Sequence, residues 1–150
     1  MSLSSKKIRQ AVLQALTCAK TAAAARQFAT EIAALTSDET VHSEANDISQ
    51  AAYAASAHAW MAMIAMTSRN LEVAQNAARA AYNAKQHILA TAQHVFTMDL
   101  ALVEDLQDQD CEPPQESELI HMWRNFCSSL PHQFPVPDNF DQSLSPVIDD

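Results

Sequence analysis

Two Glu-x-x-His elements are the clearest chemical pattern in the sequence. They are Glu39 with His42 and Glu118 with His121. Residues three apart share a helix face, so each element can present a carboxylate and an imidazole to one ion. Two further carboxylates lie near predicted ends of helices. The resulting candidate site for iron, manganese or zinc comprises Glu31, Glu39, His42, Glu104, Glu118 and His121.

In these six residues alone, the pattern resembles the di-iron carboxylate site of ferritin-like bundles. The resemblance implies two helices with Glu-x-x-His elements and one Glu from each of two others. In an up-down bundle, the four helix ends that carry these residues are expected to gather at one pole. The alternative is capping, because Glu39 and Glu118 fall in first helical turns, where the helix dipole favours acids. The histidines are then partly exposed.

Other catalytic signatures are missing from the sequence. It contains no glycine, so it has no phosphate-binding loop, dinucleotide fingerprint or nucleophile elbow. Cys18, Cys111 and Cys127 are far apart and form no metal-spaced pair. Free thiols in a reducing compartment are expected, which indicates a cytoplasmic protein.

The charge is unevenly distributed along the chain. Residues 1–30 carry five basic and no acidic residues, whereas residues 101–150 carry one basic and eleven acidic ones. With a net charge of −9, the chain is expected to repel nucleic acid but to attract a basic protein partner. The alternative is that the acids only confer solubility. No apolar run approaches the roughly 20 residues that cross a bilayer, so no membrane association is expected.

The absence of glycine and the abundance of alanine favour long helices. Residues 41–66 are predicted to form a central helix that is apolar on two neighbouring faces. The first face is mostly alanine and permits close approach of another backbone; it comprises Val41, Ala45, Ile48, Ala52, Ala55, Ala59, Ala62 and Met66. The second is bulkier and comprises Tyr53, Ala57, Trp60 and Ile64.

The other helices follow from the same periodicity. The first is predicted over residues 5–35 without a break, although its second apolar run is out of phase with the first. That run is Phe28, Ile32 and Leu35. Thr36 and Glu39 match a capping box that begins the central helix. A third helix runs from Leu71 to Leu106 with a kink at 97–99. A fourth runs from Pro114 or Gln115 to Leu130.

The sequence therefore predicts an all-α protein. Residues 1–130 form an antiparallel bundle of three long helices and a shorter fourth. Residues 131–150 contain four prolines and form an extended tail packed on the bundle, within the same domain. The alternative is an arm that docks on another protein. Alanine-rich seams also permit a homo-oligomer.

These features favour a small acidic helical protein that is not an enzyme. It is expected to bind a protein partner, as inhibitors, immunity proteins and regulators do. The metal-binding bundle described above is the alternative. A third hypothesis is a small-ligand pocket, although aromatic residues at helical spacing are usually core. Its lining would be Tyr53, Trp60, Tyr82 and Phe96.

Overall fold

A computed structural model describes residues 3–95 and 112–130 of the chain. These residues form four α-helices: α1 (Leu3–Ala33), α2 (Glu39–Thr67), α3 (Leu71–Val95) and α4 (Glu116–Ser129). The described residues contain no strand. The predicted all-α class, with three long helices and a shorter one, is therefore confirmed. The predicted kink at 97–99, the end of the third helix and the tail lie outside the described residues.

Helix α1 is continuous, as predicted, but the second half of its buried face differs from the prediction. Phe28 and Leu35 are 36% and 84% exposed, and Ile32 is only partly buried. The buried face of the second half consists of alanines instead. It comprises Ala22, Ala25, Ala29 and Ala33. The apparent phase shift in the sequence arose because the small residues occupy the seam and the large ones lie beside it.

The link between α1 and α2 is capped by a different residue from the one predicted. Asp38 is the N-cap of α2, and its Oδ1 accepts hydrogen bonds from the backbone N–H groups of Thr40 and Val41 at 2.8 and 3.4 Å. Thr36 bonds to the N-cap residue itself, since the Thr36 Oγ1 accepts a hydrogen bond from the Asp38 backbone N–H at 3.2 Å. The predicted capping box of Thr36 and Glu39 is therefore wrong. Aspartate at this position satisfies two amide groups that the helix leaves unpaired.

The link between α2 and α3 makes a tight reversal without glycine. Arg69 has φ 59°, in the left-handed region, which costs a non-glycine residue about 1 kcal/mol. The Asn70 N–H donates to the Ala65 carbonyl and the Arg69 N–H to the Met66 carbonyl, which is the Schellman pattern. Asn70 then begins α3, since its Oδ1 accepts a hydrogen bond from the Val73 N–H at 3.1 Å. Four residues therefore end one helix and start the next.

The alanine-rich face of α2 lies at the centre of the bundle, as the sequence predicted. From Ala45 to Met66, every member of that face is buried, and only Val41 at its start is partly exposed. The bulkier face is different, because Tyr53, Trp60 and Ile64 are only partly buried. Helix α2 therefore buries one broad face. Its large buried side chains are Ile48, Met63 and Met66.

Buried side chains form two clusters along the bundle. The first joins the first half of α1, the second half of α2, the first half of α3 and the apolar face of α4. The second joins the second half of α1, the first half of α2 and the last turns of α3. Helix α4 thus contributes to the first cluster through its buried side chains. They are Leu119, Ile120, Trp123 and Phe126.

Close packing of small side chains predicts sensitivity to added volume. Ala55 is fully buried on α2, whereas Ala24 is exposed on α1. We expect Ala55→Leu to lower the free energy of unfolding by about 1–3 kcal/mol, because the seam has no space for three more carbons. The control Ala24→Leu should change it by less than about 0.5 kcal/mol. Urea denaturation followed by circular dichroism measures both, and equal effects would contradict this account of the seam.

Candidate functional site

The first Glu-x-x-His element lies at the start of α2. Glu39 and His42 are both exposed. The His42 Nε2 is 2.7 Å from the backbone oxygen of Thr36, so this nitrogen donates a hydrogen bond to a carbonyl. A nitrogen that carries this proton has no lone pair for a metal. In this arrangement the His42 ring stabilises the link between α1 and α2, and only its Nδ1 could coordinate an ion.

The second element lies in the first turns of α4. Glu118 is exposed, and its Oε1 accepts a hydrogen bond from the Gln115 backbone N–H at 3.1 Å. This is the reach-back half of a capping box, which stabilises the start of the helix. His121 is also exposed. The geometry of Glu118 therefore agrees with the capping alternative.

Glu31, the other predicted ligand that can be placed, does not join either pair. Glu31 is exposed near the end of α1, and its Oε2 accepts a hydrogen bond from the Gln27 side chain at 3.3 Å. Glu104 lies outside the described residues. Within residues 3–95 and 112–130, no group of three or more His, Cys, Asp and Glu side chains could hold a metal ion.

The two Glu-x-x-His elements are at opposite ends of α2. Glu116, at the start of α4, pairs with Arg69, which follows the last residue of α2, whereas Glu39 is the first residue of that helix. A helix of 29 residues is about 40 Å long at about 1.5 Å per residue. The expectation that these helix ends gather at one pole is therefore wrong. Metal binding by part of this set stays a prediction.

A buried arginine occupies the place where α4 meets the bundle. Arg9 is only 1% exposed, and its Nη1 donates hydrogen bonds to the carbonyl oxygens of Pro113 and Pro114 at 2.8 and 3.0 Å. Its Nη2 lies 3.0 Å from Oε2 of Glu112. The guanidinium therefore binds three groups of the segment that leads into α4. Charge-assisted contacts of this kind are stronger than neutral hydrogen bonds.

A second arginine binds the first residue of α4. Arg69 pairs through Nη1 with Oε2 of Glu116, whose side chain is 9% exposed. The other carboxylate oxygen of Glu116 is buried and has no hydrogen-bond partner among the described residues. We call these contacts the arginine clamp: Arg9 with Glu112, Pro113 and Pro114, and Arg69 with Glu116. It holds both the approach to α4 and its first turn.

A sequence signal for part of the clamp was present. Arg9, Val12, Leu16 and Ala19 follow the three-four spacing of one apolar stripe, and all four are buried. A basic residue at a core position requires a buried acceptor. The identity of that acceptor could not be predicted, because it is more than 100 residues away in the sequence. The partners of Arg9 include two proline carbonyls, which no charge pattern reveals.

Two ionisable groups have displaced pKa values. The pKa of Glu112 is lowered by its hydrogen bond from Arg9 and further by the charges of Lys6 and Arg9. Lys6 Nζ lies 3.7 Å from Oε1 of Glu112. The pKa of His58, on α2, is lowered because partial burial disfavours its charged form. The lowered pKa values therefore favour the charged form of Glu112 and the neutral form of His58 at neutral pH.

The three aromatic residues of the predicted ligand pocket that can be placed are half-buried. Tyr53 and Trp60 lie on α2, and Tyr82 lies on α3. The Tyr82 hydroxyl accepts a hydrogen bond from Gln86 at 2.5 Å, and the Lys85 ammonium lies 4.9 Å from the centre of its ring. Phe96 lies outside the described residues. Both of these contacts are within α3, and Tyr82 also packs against the first cluster, as a core aromatic residue does.

The net negative charge resides outside the described helices. All nine lysines and arginines lie within residues 3–95 and 112–130, together with nine of the eighteen acids. The other nine acids lie in 96–111 and 131–150, where there is no basic residue. The helical body is thus balanced in charge, and the excess negative charge belongs to two segments that flank α4 in the sequence.

The chain was compared with known protein families, with curated proteins and with solved structures, and none of the three comparisons found a match. None of the helices among the described residues is long and apolar enough to span a membrane.

The lowered pKa of His58 predicts a loss of stability on mild acidification. The unfolded chain, with a histidine pKa near 6.5, binds a proton before the folded chain does, so the free energy of unfolding falls as the pH drops through 6.5. We expect His58→Gln to reduce this fall between pH 8 and 5.5. The control His121→Gln, at an exposed position, should leave it unchanged. Urea titrations at a series of pH values test this, and an unaltered slope in His58→Gln would refute it.

Proposed function

We propose that this chain is a small non-enzymatic helical protein that binds a basic protein partner, in the manner of an inhibitor, immunity protein or regulator. The observation that carries the proposal is the separation of charge. The described helices are balanced, while 96–111 and 131–150 together hold nine acids and no base. Concentrated like charge on short segments attracts an opposite surface and raises the rate of association.

The chemistry of the described residues agrees with a binding role. Their buried charged groups are Arg9, Lys85 and Glu116. Arg9 and Glu116 contact distant parts of the same chain, and the Lys85 ammonium lies over the Tyr82 ring, so all three stabilise the fold. Two of the described carboxylates in the predicted metal set, Glu31 and Glu118, accept hydrogen bonds from neighbours on the same helix or its cap. No observation favours the metal-binding alternative over the partner-binding one.

Finer features belong to the same proposal. The pairing of opposite halves of α1 and α2 in the two clusters supports the antiparallel arrangement of the long helices. We expect the tail, residues 131–150, to lie extended on the bundle unless the partner binds it. Among the described residues, Cys18 and Cys127 form no disulfide, and this supports a reducing, cytoplasmic location. The alanine seams also permit self-association, so a homo-oligomer is a second possible form of the chain that binds the partner.

The proposal predicts that partner binding depends on acids outside the helical body. We expect a basic protein to be retained on the immobilised chain at 50 mM salt and released at 500 mM, because screening shortens the range of the attraction about threefold. Replacing Asp105, Asp108 and Asp110 together by Asn should weaken the affinity for the purified partner at least about tenfold. Calorimetry or surface plasmon resonance measures the affinity.

A matched triple variant provides the control. Glu31→Gln, Glu44→Gln and Glu72→Gln remove the same charge from the surfaces of α1, α2 and α3, and should weaken binding less than about threefold. Equal losses in the two triple variants would show that only total charge matters. Failure to retain any basic protein at low salt, or iron, manganese or zinc bound at one or two ions per purified chain, would overturn the proposal.

A further inference from the structure

Helix α4 is attached to the bundle differently from the other three helices. Helices α1, α2 and α3 each contribute to both buried clusters, so each is held along its length. The four buried apolar side chains of α4 all belong to the first cluster. Its main packing partner is α1. Separating α4 therefore leaves the buried members of the second cluster in place and removes only Leu130, which follows α4 and packs against both clusters.

The arginine clamp supplies much of the specific attachment. Arg9 binds residues 112–114, immediately before α4, and Arg69 binds Glu116 within its first turn. These are charged contacts at one end of the helix, and Glu112 is itself 62% exposed. Water and salt can compete for the contacts of the exposed Glu112 and Arg69 side chains more readily than for the alanine seams, whereas the bond from Arg9 to Pro113 is buried and screened less. The clamp can therefore be weakened without disturbing the packing of α1, α2 and α3.

The covalent connection keeps a separated α4 close to its site. Helix α4 follows α3 in the chain, with residues 96–115 between them. Because α4 and α1 belong to the same chain, rebinding of α4 is intramolecular, and this favours it over binding of a competitor from solution. On its own, a helix of 14 residues is marginal in water. Its amide groups would exchange with solvent whenever it separates.

We propose that residues 112–130 open from the three-helix body as one unit, and that the arginine clamp sets how often they do. Opening uncovers the apolar face of α4, with Trp123 and Leu119, and the surface of α1 that contributes to the first cluster. The chain thus contains a covered apolar surface whose exposure is controlled by charged contacts. This inference is independent of the acidic segments invoked above.

Native-state hydrogen exchange of the full chain tests the proposal. At 50 mM salt, amides of residues 119–128 should be protected at least about 100-fold less than those of residues 52–63, since the latter exchange only when the bundle unfolds. Raising the salt to 500 mM should lower protection in α4 by about threefold or more and leave α2 nearly unchanged. Protection in α4 equal to that of α2 would overturn the proposal.

Variants of the clamp separate local opening from general destabilisation. Arg9→Met keeps an aliphatic stem but removes the donors to Pro113 and Pro114, and should lower protection in α4 about tenfold with little change in α2. Glu112→Gln, at an exposed position that does not endanger folding, should act in the same direction with smaller effect. Arg79→Met, an exposed arginine bonded to Asn76 of its own helix, is the control. Equal loss of protection in α2 and α4 would show one shared opening and refute the inference.

Discussion

The structure depends on the close approach of helices along seams of alanine. Most of the second cluster is alanine, and so are half of the buried residues that α1 and α2 contribute to the first. A seam of small side chains brings backbones together and gives many dispersion contacts, although each residue buries little apolar area. Stability then requires long helices, because the contact must be summed over many turns. This explains the length of α1, α2 and α3 and the absence of glycine from them.

An alanine seam determines how a helix packs along its length. It gives little indication of which segment covers the ends of the bundle. The larger buried side chains are concentrated in the first cluster, where Trp123, Leu119 and Met66 are fully buried. At that end α4 covers the bundle, and the two arginines hold it in position. A buried arginine loses much of its hydration, so Arg9 needs the three acceptors that the segment before α4 supplies. The direction and position of α4 thus follow from the clamp as much as from apolar packing.

The parts of the fold that could be predicted are those governed by local rules. Periodicity identified the buried face of α2 from Ala45 to Met66 and the continuity of α1. The errors occurred where several residues could serve one role. Thr36 and Asp38 are both good N-caps, and only the backbone geometry selects Asp38. Phe28 and Leu35 are apolar but exposed, since hydrophobicity alone does not tell a seam of alanines from the large residues beside it.

The two Glu-x-x-His elements are separated for a physical reason that applies to long-range contacts in general. Helix ends were assigned to one pole on the assumption that each helix reverses the direction of the one before it. That rule is expected to hold for short links, such as those at Asp38 and at Arg69. The rule does not apply across residues 96–115, because a connection of this length can bring α4 to either end of the bundle. Arg9 and Arg69 select the end, because each needs a carboxylate partner that α4 and its approach provide. The two arginines, and not the histidines, therefore determine the position of α4. That position in turn separates the two Glu-x-x-His elements.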